Sequence, residues 1–301
     1  MKLDNSQLAA FSSVIREGSF EGAARKLHIT ASAISLRIKQ LEDRLGQVLI
    51  MRGAPCKATR AGLTLLTFTE QIDFLESELN RDLGIFDNEH HTLTRLPIAV
   101  NADSLEVWFI DVMEFVQKQS HVIFEIRAED QNHSQALLKD GNVVAAISVN
   151  PIAAPGCQVE CLGLMRYIAL ASKTFEHKYF ASGLNTVSLS TAPLLAFNQK
   201  DEIQHAFLKL LTNEALTPPV NHIPTSNAFL EAMARGLGWG MVPEILAAGL
   251  ADARGLTNIA PEYYLDVPLH WHRWSFNSKN LDLLTVAVRK YSKKILIPFQ
   301  T

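Results

Sequence analysis

Phe20-Glu21-Gly22-Ala23-Ala24-Arg25-Lys26-Leu27-His28-Ile29-Thr30-Ala31-Ser32-Ala33-Ile34-Ser35 is the stretch from which the rest of the chain can be read. Phe20, Ala23, Ala24 and Leu27 recur at helical spacing, and Ser19 stands where an N-cap is expected. His28-Ile29-Thr30 forms a short turn, and Thr30 can cap the next helix by accepting a backbone N–H. That helix runs from Ala31 to about Leu45, with Ile34, Ile38, Leu41 and Leu45 on one face and Ser32, Ser35, Leu36 and Lys39 on the other. Two short helices around a tight turn, with small Ala23 and Ala24 permitting close approach, fit a helix-turn-helix whose second helix enters the DNA major groove.

Working outward, Leu8, Phe11 and Val14 give a preceding helix that Gly18 ends, and Gly46 stops the third. Gln47 to Arg52 reads as a strand, and Gly53 to Thr59 as a hairpin tip or wing. Charge agrees with a nucleic-acid partner for this end alone. Residues 1–60 hold ten Lys and Arg against five Asp and Glu, a net of +5, whereas the rest of the 301-residue chain carries −8. Arg25, Ser32, Ser35, Arg37, Lys39 and Arg52 are the candidate DNA contacts, with Arg37 and Lys39 for phosphates or a guanine edge.

Together with Arg37-Ile38-Lys39-Gln40-Leu41-Glu42, then Gly46, Leu49, Arg52 and Thr59-x-x-Gly62, the opening stretch resembles the winged helix-turn-helix of LysR-type transcriptional regulators. Ala31 and Leu36 stand where many members have polar residues able to reach base edges, which shifts the expectation there towards indirect readout. The resemblance implies promoter DNA, RNA polymerase and further copies of the chain as partners, in a homodimer or homotetramer.

From Thr59 to Phe86 there is no proline, and Leu65, Ile72, Leu79 and Phe86 recur every seven residues with Phe68 and Leu75 between them. The spacing predicts a coiled-coil seam of about three heptads, so Leu65, Phe68, Ile72, Leu75 and Leu79 are the candidate dimerisation residues. Asn88 to Thr92 reads as a polar hinge. After Leu96 strands alternate with helices: Pro97–Val100, Ser104 to Gln119, Val122–Ala128, Ser134 to Lys139 and Val143–Val149, then a second such region with strands near Tyr167–Ala171 and Leu194–Phe197. This predicts a parallel α/β sheet. It resembles the effector-binding domain of the same family, two-lobed like periplasmic binding proteins. The expected domains are a winged helix-turn-helix over 1–59, a linker helix and hinge over 60–90, and an effector-binding domain over 91–301, with lobe I at 91–164 and 267–301 and lobe II at 165–266.

The chain lacks a Gly-x-Ser-x-Gly elbow, a Walker sequence and His-Glu-x-x-His, so no catalysis, cofactor or metal is expected. Cys157 with Cys161, and His270 with His272, are read as structural pairs. A short start without a long apolar run, and no run of about 18 apolar residues, lead to the expectation of a cytoplasmic protein without a membrane partner. Asn101-Ala102-Asp103-Ser104 and Thr225-Ser226-Asn227 each lie where a helix begins, the edge at which open α/β sheets bind ligands. Residues spread over this region, among them Asn101 to Leu105, Glu129-Asp130, Lys178-Tyr179-Phe180 and Trp271-His272-Arg273, resemble the ArgP/LysG group of basic amino acid export regulators. That resemblance implies lysine or arginine as effector. The candidate effector residues are Asp103, Ser104, Glu129, Asp130, Ser148, Asn198, Thr225 and Ser226, with Asn198 and Asn227 standing where acids are expected. Two rivals remain: a solute-binding receptor or enzyme that uses the cleft, and an architectural DNA-binding protein without effector control.

Overall fold

The computed structural model describes residues 3–83, 93–128, 134–250 and 254–299. They fall into two compact units, Met1–Pro97 with Ala136–Val144, and Ile98–Gln135 with Ala145–Thr301. The hinge at 88–92 and the acids Glu129 and Asp130 lie outside the described residues.

In the first unit α1 (Asn5–Glu17), α2 (Phe20–Lys26) and α3 (Ala31–Leu45) form the head. Each helix end has a physical cause. Asp4, Ser19 and Thr30 accept backbone N–H bonds at the three N-termini, and Gly18 and Gly46 take left-handed conformations at two C-termini. Phe11, Ala23, Ile34, Ile38, Leu41 and Leu49 share one buried core. The wing is shorter than the strand expected from Gln47 to Arg52: β1 (Ile50–Met51) pairs antiparallel with β2 (Lys57–Ala58). Glu42 holds its start by accepting the Leu49 and Ile50 N–H groups at 2.7 and 3.3 Å.

α4 (Arg60–Asp82) then begins against the wing. A Cβ on Gly62 would lie 2.1 Å from the Leu49 carbonyl oxygen, so only glycine permits this approach. The face of α4 corrects the expected seam. Leu65 is buried in the head core, and half-buried Ile72 packs against that core. Phe68, Leu75, Leu79 and Leu83 form the exposed apolar stripe instead. The sevenfold repeat conceals this because one helix serves two partners along adjoining faces.

Following α4 in the chain, β3 (Thr94–Val100) leads through α5 (Ala102–Ser104) and one π-helical turn, Leu105–Phe109, into α6 (Ile110–Gln117). There follow β4 (Val122–Ala128), α7 (Ser134–Lys139), β5 (Ala145–Ser148), β6 (Cys157–Ser172), α8 (Lys173–Tyr179), α9 (Thr186–Thr191) and β7 (Leu194–Ala196). The chain continues with α10 (Ile203–Thr212), β8 (Val220–His222), α11 (Ser226–Ala234), β9 (Gly240–Pro243), α12 (Glu244–Leu250), β10 (Leu256–Asn258), β11 (Leu265–Trp274) and α13 (Lys279–Ile295).

The main sheet is mixed, not parallel, in the order β10-β6-β11-β5-β3-β4, with β9 also on β6. β3 and β5 are parallel, but β11 runs antiparallel to both β5 and β6. The sequence reading found only the buried end of β6. Its earlier half is partly exposed at most positions, and the register of its partner slips between Leu269 and His270. A second, small sheet pairs β7 with β8 in parallel. This mixed arrangement fits the two-lobed domain expected from the sequence.

Candidate effector cleft and DNA-binding face

Five chain segments far apart in sequence line one cleft in the second unit. Ala102 and Asp103 come from the first turn after β3, Tyr167 from β6, Asp201 and Gln204 from the start of α10, and Ser226 and Phe229 from α11. Met241, Val242 and Leu246, with Phe197, supply apolar wall.

The cleft is acidic. Tyr167 donates a 2.6 Å hydrogen bond to Asp103 Oδ2, and the Ser226 hydroxyl also bonds this carboxylate. Removal from water pushes the Asp103 carboxyl up to about 6, and the charges of Asp201 and Glu106 push the same way; the two hydroxyl bonds only partly oppose them. Asp201 is differently held. Its oxygens accept the Phe197 and Ile203 N–H groups at 2.9 and 3.1 Å, and Gln204 Nε2 at 3.4 Å. Gln204 in turn accepts the Met241 N–H at 2.8 Å, tying β9 to α10. No lysine, arginine or histidine stands among the described residues lining the cleft.

Of the sequence-predicted effector residues, the structure brings Asp103 and Ser226 together here. The other described candidates, Ser104, Ser148, Asn198 and Thr225, do not line it. Ser104 is fully buried and does not line the cleft. Ser148 is buried at the end of β5, where its hydroxyl accepts the Asn150 N–H at 3.2 Å. Asn198 closes a local turn by accepting the Lys200 N–H at 2.7 Å, and exposed Thr225 precedes α11 without a side-chain cap bond. Ser148 and Asn198 thus bond backbone two residues on, whereas the buried Ser104 hydroxyl finds no partner among the described residues. Sequence reasoning missed Tyr167, Asp201 and Gln204. Asp201 carried the same signal as Asp103, an acid just before a helix, whereas Tyr167 sits mid-strand and had none.

Of the two sequence pairs, both histidines are buried, whereas Cys161 is exposed. His272 is buried with Nε2 2.8 Å from the Asn150 carbonyl, and burial pushes the Cys157 thiol up to about 11. Among the described residues no helix is long and apolar enough to cross a membrane.

On the head, Arg25, Ser32, Lys39 and Arg52 are exposed, while Ser35 and Arg37 are half-buried. Ser32 is held at the α3 N-terminus by the Thr30 hydroxyl at 2.9 Å, and the Arg52 guanidinium lies over the Phe20 ring, 5.2 Å from its centroid. At about 100° per residue, Ser32, Leu36 and Lys39 share the outward stripe with Ser35 at its flank, while half-buried Arg37 stands towards the edge of the core face.

A helix-turn-helix with its positive charge outside, joined to an α/β unit with a small acidic cleft, defines a ligand-responsive DNA-binding regulator. Residues 6–63 match the bacterial regulatory helix-turn-helix protein model of the lysR family, and residues 92–290 match the LysR substrate binding domain; the chain belongs to the LysR family of transcriptional regulators. It is 41% identical over 289 residues to the HTH-type transcriptional regulator LysG of Mycobacterium tuberculosis, covering 96% of this chain and 93% of that protein. The crystal structure of ArgP from Mycobacterium tuberculosis superposes with a TM-score of 0.89 at 38% identity, over 99% of this chain and all of that one. Full-length LysG from Corynebacterium glutamicum with bound effector Arg gives a TM-score of 0.79 at 34% identity, over 98% of this chain and 100% of that one.

Proposed function

We propose that this LysR-type regulator responds to a small cationic amino acid, arginine or lysine, held in the Asp103 cleft, and so controls genes of transport, export or metabolism. The observation that carries the reading is a pair of carboxylates, Asp103 and Asp201, in a wall without a positive side chain among the described residues. A guanidinium or ammonium there compensates charge that the apo cleft leaves unbalanced. Phe197, Phe229, Met241 and Leu246 suit an aliphatic stem, and the backbone at Ala102 and Asp103, where a helix begins, suits the α-carboxylate. The effector named for the Corynebacterium glutamicum relative, Arg, agrees with this chemistry.

Promoter DNA meets the head through Arg25, Ser32, Ser35, Arg37, Lys39 and Arg52 in this reading, in the cytoplasm. RNA polymerase is the further partner, and the exposed stripe of α4 joins two copies of the chain, with a homotetramer as the larger assembly. The domains follow the limits expected from sequence, 1–59, 60–90 and 91–301. Calorimetric titration of the full chain tests the effector: arginine and lysine bind, whereas citrulline and norleucine, neutral mimics of each, do not. Equal binding of arginine and citrulline overturns the assignment.

A further inference from the structure

Leu36 is 57% exposed in the middle of the outward stripe of α3, between Ser32 and Lys39. Its exposure has no explanation within the chain. The core beneath α3 is filled from the opposite face by Ile34, Ile38 and Leu41, all essentially inaccessible, and Leu36 is not among the side chains packed on that core. An apolar side chain held in water forgoes a burial term of a few kcal/mol, so a partner with a complementary apolar group gains by covering it.

Charge selects the partner. The stripe carries Lys39 and is accompanied on the head by exposed Arg25, Arg44, Arg52 and Lys57, so a second head is repelled and a polyanion attracted. In the major groove of DNA the apolar group at a base edge is the thymine 5-methyl. Ser32, one turn before Leu36, and Lys39, one turn after, supply short polar and cationic contacts on either side.

We infer that Leu36 is a specificity-determining residue that reads a thymine methyl in the major groove, so that the operator carries a T at the base pair beneath the middle of α3 in each half-site. This rests on α3 being the helix that enters the groove. It replaces the expectation of purely indirect readout at this position with direct apolar readout.

The test uses the full-length protein to select its sites from a random double-stranded DNA library. Each thymine of the recovered consensus is then replaced singly by deoxyuridine, which deletes only the methyl. One thymine per half-site is expected to show about a fourfold loss of affinity, the value of one buried methyl group, and about sixteenfold when both half-sites are changed. With Leu36→Ala, which leaves the core intact and the melting temperature unchanged, the same replacement has no effect. Methyl-independent binding at every thymine, a consensus without that thymine, or a penalty that persists in Leu36→Ala overturns the inference. Failure of the parent protein to select any DNA overturns the reading of α3 itself, a separate outcome.

Discussion

The head and the cleft use charge in opposite ways. Around the helix-turn-helix the basic side chains stand outside an apolar core, most of them exposed to solvent. In the cleft, Asp103 lies out of water beside another acid, and its protonation is displaced towards neutrality. The head is therefore a finished fold that presents charge, while the cleft is a site left electrostatically incomplete. Stability and function coincide in the first and oppose each other in the second.

The largest expected effect separates the two regions outright. Gly62→Ala places a methyl 2.1 Å from the Leu49 carbonyl oxygen, a backbone atom that cannot step aside without moving the wing. A loss of about 3 kcal/mol, the upper end of overpacking costs, is expected in the head alone. DNA binding should collapse while arginine still binds the cleft with parental heat. A variant with both activities intact shows that the wing yields where the geometry says it does not.

Next comes Asp103→Asn, which should weaken arginine and lysine by about 100-fold, as for truncation of one partner of a desolvated charge pair. The same change should stabilise the apo protein at neutral pH. The folded carboxyl titrates near 6 against an ordinary value of 3.8, so its stability contribution is present below 3.8 and is lost as pH rises through about 6. At pH 7.5 the ionised group costs at most about 3 kcal/mol relative to acid conditions. Melting curves at pH 5 and 7.5 check this: the gain from Asn appears at the higher pH. Ligand affinity of the parent should fall by up to tenfold per pH unit below 6, because a proton then competes with the cation. A flat affinity profile from pH 5 to 7.5 removes Asp103 from the ligand site.

A smaller effect is expected on α4, where Leu75→Asp puts a charge into the exposed stripe of Phe68, Leu75, Leu79 and Leu83. Sedimentation should show dissociation to monomer with the melting of the isolated chain changed by less than about 1 kcal/mol, as for other exposed positions. Leu65→Asp is the contrasting variant. Because Leu65 is buried in the head core, it should unfold the head rather than only separate subunits. Identical behaviour of the two variants contradicts the division of α4 into an inward and an outward face.

How far each region could be read from sequence follows from the same contrast. The helix-turn-helix is made by neighbours: Ser19 caps α2, Thr30 caps α3, and both their partners lie three residues on. The cleft is made by strangers. Asp103 meets Tyr167 across 64 positions, and Gln204 meets Met241 across 37. A local pattern identified Asp103 and Ser226 because each starts a helix, but the same pattern also selected Asn198, which closes its own turn, and Thr225, whose exposed side chain makes no cap bond. Likewise the heptad repeat placed α4 but took in Leu65, which the head core buries, because burial against a non-adjacent core leaves the same apolar period as burial against a partner. The antiparallel partnership of β6 and β11, separated by most of the second lobe, left no periodic trace at all.

The smallest effect sharpens the contrast best, because it concerns the same kind of bond in the opposite setting. Arg16 on α1 donates to Glu70 at 2.7 Å and to Asp73 at 3.1 Å on α4, one cation between two acids, much as an arginine ligand would stand near Asp103 and Asp201. Here the guanidinium side chain is half exposed, with 51% of its surface in water. Solvent screens the attraction, the unpaired ions would be well hydrated, and salt weakens what remains. Arg16→Gln should therefore cost no more than about 1 kcal/mol of head stability, and the difference from the parent should shrink in 0.5 M salt. Thermal melts at low and high salt measure it. A loss several times larger, insensitive to salt, means that the α1–α4 pair behaves as a buried charge cluster, and the distinction between charge displayed and charge enclosed fails in the head.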